Sequence, residues 1–199
     1  DDTGGAGARE RGEQGMNIQV RMHRAPKTLI TGNGAVAKIG EEAKKLGASK
    51  VLIVTDPGVA CTGSVENVRE PLKAAGLGTG VFDKAVPEPP MGSVDEIVKF
   101  AEKGGYDFVV GFGGGSALDV AKMVAVLVRS GAKVEDYVGV DQVPKKGLPM
   151  IAVPTTSGTG SEVTAIAIFA NEKLNVKQGV VSPYLIPNIA LVDPVLTWS

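Results

Sequence analysis

Gly111, Gly113, Gly114, Gly115, Ser116 and Asp119 stand together in the stretch Tyr106 to Val128, YDFVVGFGGGSALDVAKMVAVLV. Before the glycines, Phe108-Val109-Val110 is apolar and β-rich. After them, Val120, Met123, Val124 and Leu127 recur at helical spacing, so the glycines join a strand to a helix. Ser116 reads as the residue that opens the helix, with Asp119 completing a capping box. A tight glycine turn into a helix start presents free backbone N–H groups at the positive end of the helix dipole, and such an arrangement binds phosphate. One glycine would suit a strand-to-helix turn in any α/β protein. Three in a row before a serine shift the reading to an anion site.

A second polar stretch, Pro154 to Glu162, reads PTTSGTGSE. The hydroxyls of Thr155, Thr156, Ser157 and Thr159 can satisfy ribose or phosphate oxygens, or they can satisfy the loop's own backbone. Thr159 and Glu162 are also spaced to cap a helix start. Asp56 follows an apolar strand, where a carboxylate can accept from both hydroxyls of a ribose. On the residues alone it reads more simply as a turn-forming aspartate before Pro57. The dinucleotide fingerprint places its acid about twenty residues after the glycines; Asp56 precedes them, so that fingerprint does not apply.

Other chemistries find no residues. The one histidine, His23, lies in a basic, polar context and is expected to be exposed and inert. The one cysteine, Cys61, has no base beside it and is expected to be a small buried residue. Asp83, Asp107, Asp136 and Asp141 read as solvated or turn residues. The sequence holds no Ser-His-Asp set, no metal-spaced His or Cys cluster and no P-loop of the GxxxxGK[ST] form.

The elements that must position these residues alternate in type. A short strand at Thr28–Thr31 is followed by a helix from about Ala35 to Leu46, and Lys50 to Thr55 is an apolar, β-branched strand running into a turn at Asp56-Pro57-Gly58. A helical stretch from Ser64 to Ala75 contains Pro71, which predicts a kink or two shorter pieces. Val81-Phe82 is a third strand. The consecutive prolines of Val86 to Pro90 keep that segment extended. Ser93 with Glu96 is a further capping box, opening a helix to about Lys103. Beyond the central strand and helix, Gly131 to Leu148 reads as an irregular surface connection and Met150 to Val153 as a strand. Val163 to Phe169 and Lys177 to Val181 form a hairpin about Asn171-Glu172-Lys173, and Asn188 to Asp193 is a last strand. Alternation of strand and helix predicts a doubly wound, Rossmann-like α/β fold: a parallel sheet with helices on both faces and a small β-hairpin near the C-terminal end. Such sheets bind ligands at the carboxyl ends of their strands. The turns after Thr55, Val110 and Val153 all fall there.

The 199 residues carry a net charge of −1, which gives no reason to expect nucleic acid or an anionic membrane as partner. No apolar run approaches a membrane span. A single cysteine excludes an internal disulfide and fits a reducing, cytoplasmic compartment. Residues 1–15 are polar and glycine-rich and are expected to be a disordered leader or tag. Met16 is a candidate natural start, and 16–199 is expected to be one dinucleotide-binding domain.

In order, the chain presents TDPG, VPEPP, GFGGGSALDVAK, IAVPTTSGTGSEVT and PNIALVDPVLT. This succession, covering about Thr28 to Thr197, resembles the nucleotide-binding half of the iron-containing alcohol dehydrogenase family. The resemblance implies that Asp56 binds the adenosine ribose and that Gly113, Gly114, Gly115 and Ser116 hold the pyrophosphate, with Asp119 behind them. It implies that Thr155, Thr156, Ser157 and Thr159 line the cleft, that Lys177 reaches the nicotinamide ribose and that Pro87 flanks the adenine side. The implied cofactors are NAD, with NADP disfavoured by Asp56, and iron(2+) in a full-length parent. The implied substrate is a small alcohol or aldehyde, and the implied assembly a homo-oligomer. The family's iron is held by one aspartate and three histidines of a helical second domain. With a sole histidine far upstream, that domain is expected to lie beyond Ser199 and this chain alone to be inactive. A glycerol dehydrogenase-like zinc enzyme of the same fold and a non-catalytic nucleotide-binding module are the alternatives.

Overall fold

The computed structural model describes residues 22–198; the leader expected over 1–15, and Met16, lie outside the described residues. Along the chain run β1 (Thr28–Thr31), α1 (Ile39–Lys45), β2 (Lys50–Val54), α2 (Pro57–Cys61), α3 (Glu66–Ala74), β3 (Gly78–Phe82), α4 (Ser93–Gly104), β4 (Phe108–Gly113) and α5 (Gly115–Leu127). Then follow β5 (Gly139–Val140), β6 (Met150–Pro154), β7 (Ile166–Asn171), β8 (Val176–Val181) and β9 (Ile189–Val192).

The main sheet has six strands in the order β1-β9-β6-β4-β2-β3, and its pairings are parallel. The reason lies in the strands. β2, β4 and β6 are apolar at nearly every position, so both faces need cover. On β2, Val51 and Ile53 point to one face and Leu52 and Val54 to the other, each fully buried. Val51 and Ile53 join Val110 and Phe112 under Ile39 of α1 and Leu72 of α3. Leu52 and Val54 join Val109 under Ile97 of α4 and Leu118 and Met123 of α5. The expected doubly wound fold is therefore present, and α5, apolar on all sides, is its central helix.

The smaller sheet adds a strand to the expected hairpin. β7 and β8 pair antiparallel from Ile166↔Val181 to Asn171↔Val176, and β5 lies parallel to β8. Asn171 Oδ1 fixes the turn by accepting from the N–H groups of Lys173 and Leu174, both at 3.1 Å. The connection before β6 is less irregular than expected. A 3-10 turn at Val134–Tyr137 buries Val134 and Tyr137, whose i, i+3 spacing puts both on the core side.

Two local expectations are corrected. Helix α3 runs unbroken through Pro71; it gives up one internal bond there, and α1 supports it through Gly40, where a Cβ would overlap the Pro71 carbonyl oxygen. Ser93 is not a cap: Gly92 holds that position, and the Ser93 hydroxyl donates to the Pro90 carbonyl at 2.7 Å. No described helix is long and apolar enough to cross a membrane.

Candidate functional site

The strand-to-helix turn after β4 assigns each glycine a different task. Gly113 ends the strand at φ 150°, a region that favours glycine, and a Cβ on it would meet Ala117 Cβ at 2.8 Å and Asp56 Oδ2 at 3.0 Å. Gly114 has an ordinary extended backbone and is the N-cap of α5, with no side-chain cap bond. This corrects the capping box: the helix opens at Gly115, so Ser116 lies inside it. The Ser116 hydroxyl instead accepts weakly from the Glu88 N–H at 3.4 Å. Asp119 turns away from the helix start, accepting from Ser161 Oγ at 2.6 Å and from the Ile168 N–H at 3.0 Å. The first N–H groups of α5 are thus left without a side-chain acceptor, as an anion site requires.

The other two turns close on this one. Thr155 donates its N–H to the Gly113 carbonyl at 3.0 Å, which draws the hydroxyl-rich loop against the glycines. A Cβ on Gly114 would come to 3.4 Å from Thr156 Oγ1, and one on Gly115 to 3.2 Å from Thr159. The helix start expected after Thr159 is a single 3-10 turn, Ser161–Val163, with Gly160 as N-cap. Thr159 Oγ1 still accepts from the Ser161 N–H at 3.3 Å. Asp56 caps α2, its Oδ1 accepting from the Val59 N–H at 2.9 Å, while Oδ2 faces Gly113. The turn role and a ligand role are therefore compatible, because each uses a different oxygen.

Around the glycine turn lie three adjoining cavities. One of about 400 Å³ is lined by Asp56, Pro87, Gly114, Ser116, Thr155 and Thr156. A second of about 370 Å³ shares Gly115 and Ser116 and continues to Glu88, Asp119, Thr159, Ser161 and Lys177. A third of about 600 Å³ extends from Thr155 and Thr156 toward Asn67, Leu196 and Trp198. Of the residues named from sequence, Gly113 and Ser157 line none of these: Gly113 is buried at the end of β4, and Ser157 is exposed on the loop. Lys177 Nζ lies 2.6 Å from Glu88 Oε1 across the mouth of the second cavity.

Sequence reasoning missed Lys122, whose side chain is wholly buried with its Nζ 2.8 Å from the Ile166 carbonyl and 3.5 Å from Asp119 Oδ1. The signal was available: it is one lysine among apolar neighbours on every face of α5. Burial pushes its pKa down to about 8, with Asp119 acting in the opposite direction. His23 is exposed as expected, but Cys61 is exposed too, its Sγ 3.0 Å from the Gly58 carbonyl. That expectation fails because α2 is a short surface helix with no buried residue. Among the described residues no group of three or more His, Cys, Asp or Glu side chains could hold a metal ion.

The family model described as iron-containing alcohol dehydrogenase matches residues 26–194. The chain belongs to the iron-containing alcohol dehydrogenase family. Among its relatives in the family, the long-chain-alcohol dehydrogenase 1 of Geobacillus thermodenitrificans is 45% identical over 177 residues, which are 87% of this chain and 44% of that protein. The NAD-dependent methanol dehydrogenase of Bacillus methanolicus is 39% identical over 86% of this chain and 45% of its own length. The sulfoacetaldehyde reductase of Bifidobacterium kashiwanohense, solved in complex with NAD+, superposes with a TM-score of 0.84 at 34% identity, covering 92% of this chain and 48% of that one. The chain thus spans a little under half the length of these family members.

Proposed function

We propose that this chain is the nucleotide-binding part of an NAD-dependent, iron-containing alcohol dehydrogenase, with residues 16–199 as one dinucleotide-binding domain. The observation that carries the reading is the uncapped start of α5 between the walls formed by Thr156 and Thr159. A glycine backbone there lets a pyrophosphate approach the free N–H groups of Gly115 and Ser116, where the helix dipole favours its charge. Asp56 lies to one side and accepts from the adenosine ribose, with Pro87 flanking the adenine. Lys177 lies to the other and reaches the nicotinamide ribose. Thr155, Thr156, Ser157 and Thr159 bound the cleft, and Asp119 stands behind the turn. Relatives named as NAD-dependent or solved with NAD+ support the choice of nucleotide.

Bound nicotinamide supplies the hydride acceptor for oxidation of a small alcohol, or the donor for the reverse reaction. This chain's residues supply position and charge complementarity. The described residues do not form an iron site, so no step through the metal is assigned to them. The single cysteine fits a cytoplasmic compartment, and the family resemblance implies a homo-oligomer. Calorimetric titration with NAD tests the reading. Saturable one-to-one binding is expected, with loss of that binding in Gly115→Val, whose side chain would fill the phosphate turn. Unchanged affinity in a folded Gly115→Val protein would overturn it.

A further inference from the structure

Asp119 poses a difficulty for an anion site. It lines the same cavity as Gly115 and Ser116, so a bare carboxylate there would repel the phosphate that the helix start attracts. The structure places a counter-charge directly behind it. Lys122, one turn further along α5, is fully buried. Its Nζ lies 3.5 Å from Asp119 Oδ1, 2.8 Å from the Ile166 carbonyl and 3.4 Å from Thr164 Oγ1. Asp119 in turn binds Ser161 Oγ and the Ile168 N–H. One ion pair therefore joins the phosphate helix to the hydroxyl-rich turn and to β7. The charged groups acting on Lys122 are Asp119 from its own helix and, more weakly, Glu162 from the turn.

We infer that Lys122 is a positioning residue for nucleotide binding: its buried ammonium neutralises Asp119, so that the carboxylate can hold the hydroxyl-rich turn and β7 in place without repelling the pyrophosphate. This rests on the NAD reading above. Its consequence is a pH dependence. Lys122 titrates near pH 8 in the fold. Below that pH the pair is neutral. Above it Lys122 loses its charge and no longer offsets the carboxylate beside it, so NAD affinity falls as pH rises through about 8. Stability moves the other way. The folded pKa of Lys122 lies below its ordinary value of 10.5, so over that window the unfolded chain binds more protons and the unliganded fold gains stability as pH rises. Lost affinity with undiminished stability separates this effect from unfolding.

The experiment is NAD titration of the unmutated protein, Lys122→Met and the double variant Asp119→Asn/Lys122→Met, from about pH 7 to about pH 9. The unmutated protein is expected to lose affinity roughly tenfold across that range, as one uncompensated charge near two phosphate charges requires. Lys122→Met is expected to bind weakly at every pH, and the double variant to regain most of the affinity without the pH step. A flat profile in the unmutated protein, or a double variant no better than Lys122→Met, overturns the inference while NAD binding stands. If Lys122→Met does not fold, the unmutated profile and the double variant decide. Absence of NAD binding by the unmutated protein sinks the nucleotide reading and this inference together.

Discussion

The two sheets that meet at the glycine turn are held in different ways. The six-stranded sheet has apolar strands with helices on both faces, and β2, β4 and β6 are almost wholly buried. The three-stranded sheet buries Ala167, Phe169 and Val180 on its inner face, while Ile168 and Val176 remain 43% and 49% exposed. That inner face joins the same core as α5, and polar groups add to the attachment: the Asp119–Lys122 pair, the Lys177–Glu88 pair, and Met91 N–H to Ala170 carbonyl at 3.2 Å. Apolar packing has no charge to titrate or screen, whereas ion pairs respond to pH and salt. The glycine-turn side of the cleft is therefore fixed by apolar packing, and the Lys177 side by apolar packing together with charges.

Substitutions in the main sheet should break this contrast if it is wrong. Gly113→Val puts a side chain where Ala117 and Asp56 already stand and forces a valine to φ 150°. Together, overpacking and backbone strain should cost roughly 3 kcal/mol or more. Phe112→Ala, a fully buried ring, should cost about 3–5 kcal/mol. Ile168→Ala on the outer face of the small sheet should cost less than about 1 kcal/mol. Urea denaturation of the three variants measures the difference. Similar losses for Phe112→Ala and Ile168→Ala would mean that the outer face of the small sheet is covered as both faces of the large one are.

An intermediate effect is expected at Asp56, on the seam between rigid turn and cofactor. One carboxylate oxygen is engaged by the Val59 N–H, and the other is available to a ribose. A 2′-phosphate close to that carboxylate should disfavour NADP by about tenfold, or ~1.4 kcal/mol. Asp56→Gly should remove the preference and also cost a few tenths of a kcal/mol of stability, since glycine is a tolerable cap. Parallel titrations with NAD and NADP check the first effect and thermal melts the second. Equal affinities in the unmutated protein would confine Asp56 to its capping role.

Sequence patterns exposed the large sheet better than the site's finer contacts. The unbroken apolar character of Val51–Val54 and Phe108–Val110 requires burial on both faces, and that requirement leads directly to a parallel sheet. The capping residues were harder because spacing is a weak constraint. Ser116 and Asp119 have the right separation for a capping box, but the three glycines let the chain enter the helix two residues earlier, with Gly114 as N-cap. Asp119 was then free to reach Ser161 and Ile168, which are 42 and 49 residues away in sequence. Long-range pairing of that kind leaves no periodic trace. Likewise the turn at Asp56-Pro57-Gly58 continues into a short helix because Asp56 caps it and Pro57 suits its first turn. Cys61 went with it to the surface.

The smallest expected effect tests the charged side of the comparison at its mouth. Glu88 and Lys177 form an ion pair at 2.6 Å with side chains 67% and 59% exposed, so its contribution to stability is screened and worth well under 1 kcal/mol. Glu88→Gln should leave the melting temperature almost unchanged. Its effect on NAD is more informative, because on the proposed reading Lys177 exchanges Glu88 for a ribose hydroxyl when the nucleotide binds. Removing the carboxylate removes that competition and should tighten NAD binding by about twofold, a change of only ~0.4 kcal/mol. Lys177→Ala should weaken binding instead, since it removes the donor itself. Added salt should narrow the difference between Glu88→Gln and the unmutated protein by screening the exposed pair. Should Glu88→Gln weaken binding as Lys177→Ala does, Glu88 holds the lysine in place for the ribose and the pair acts as a clamp.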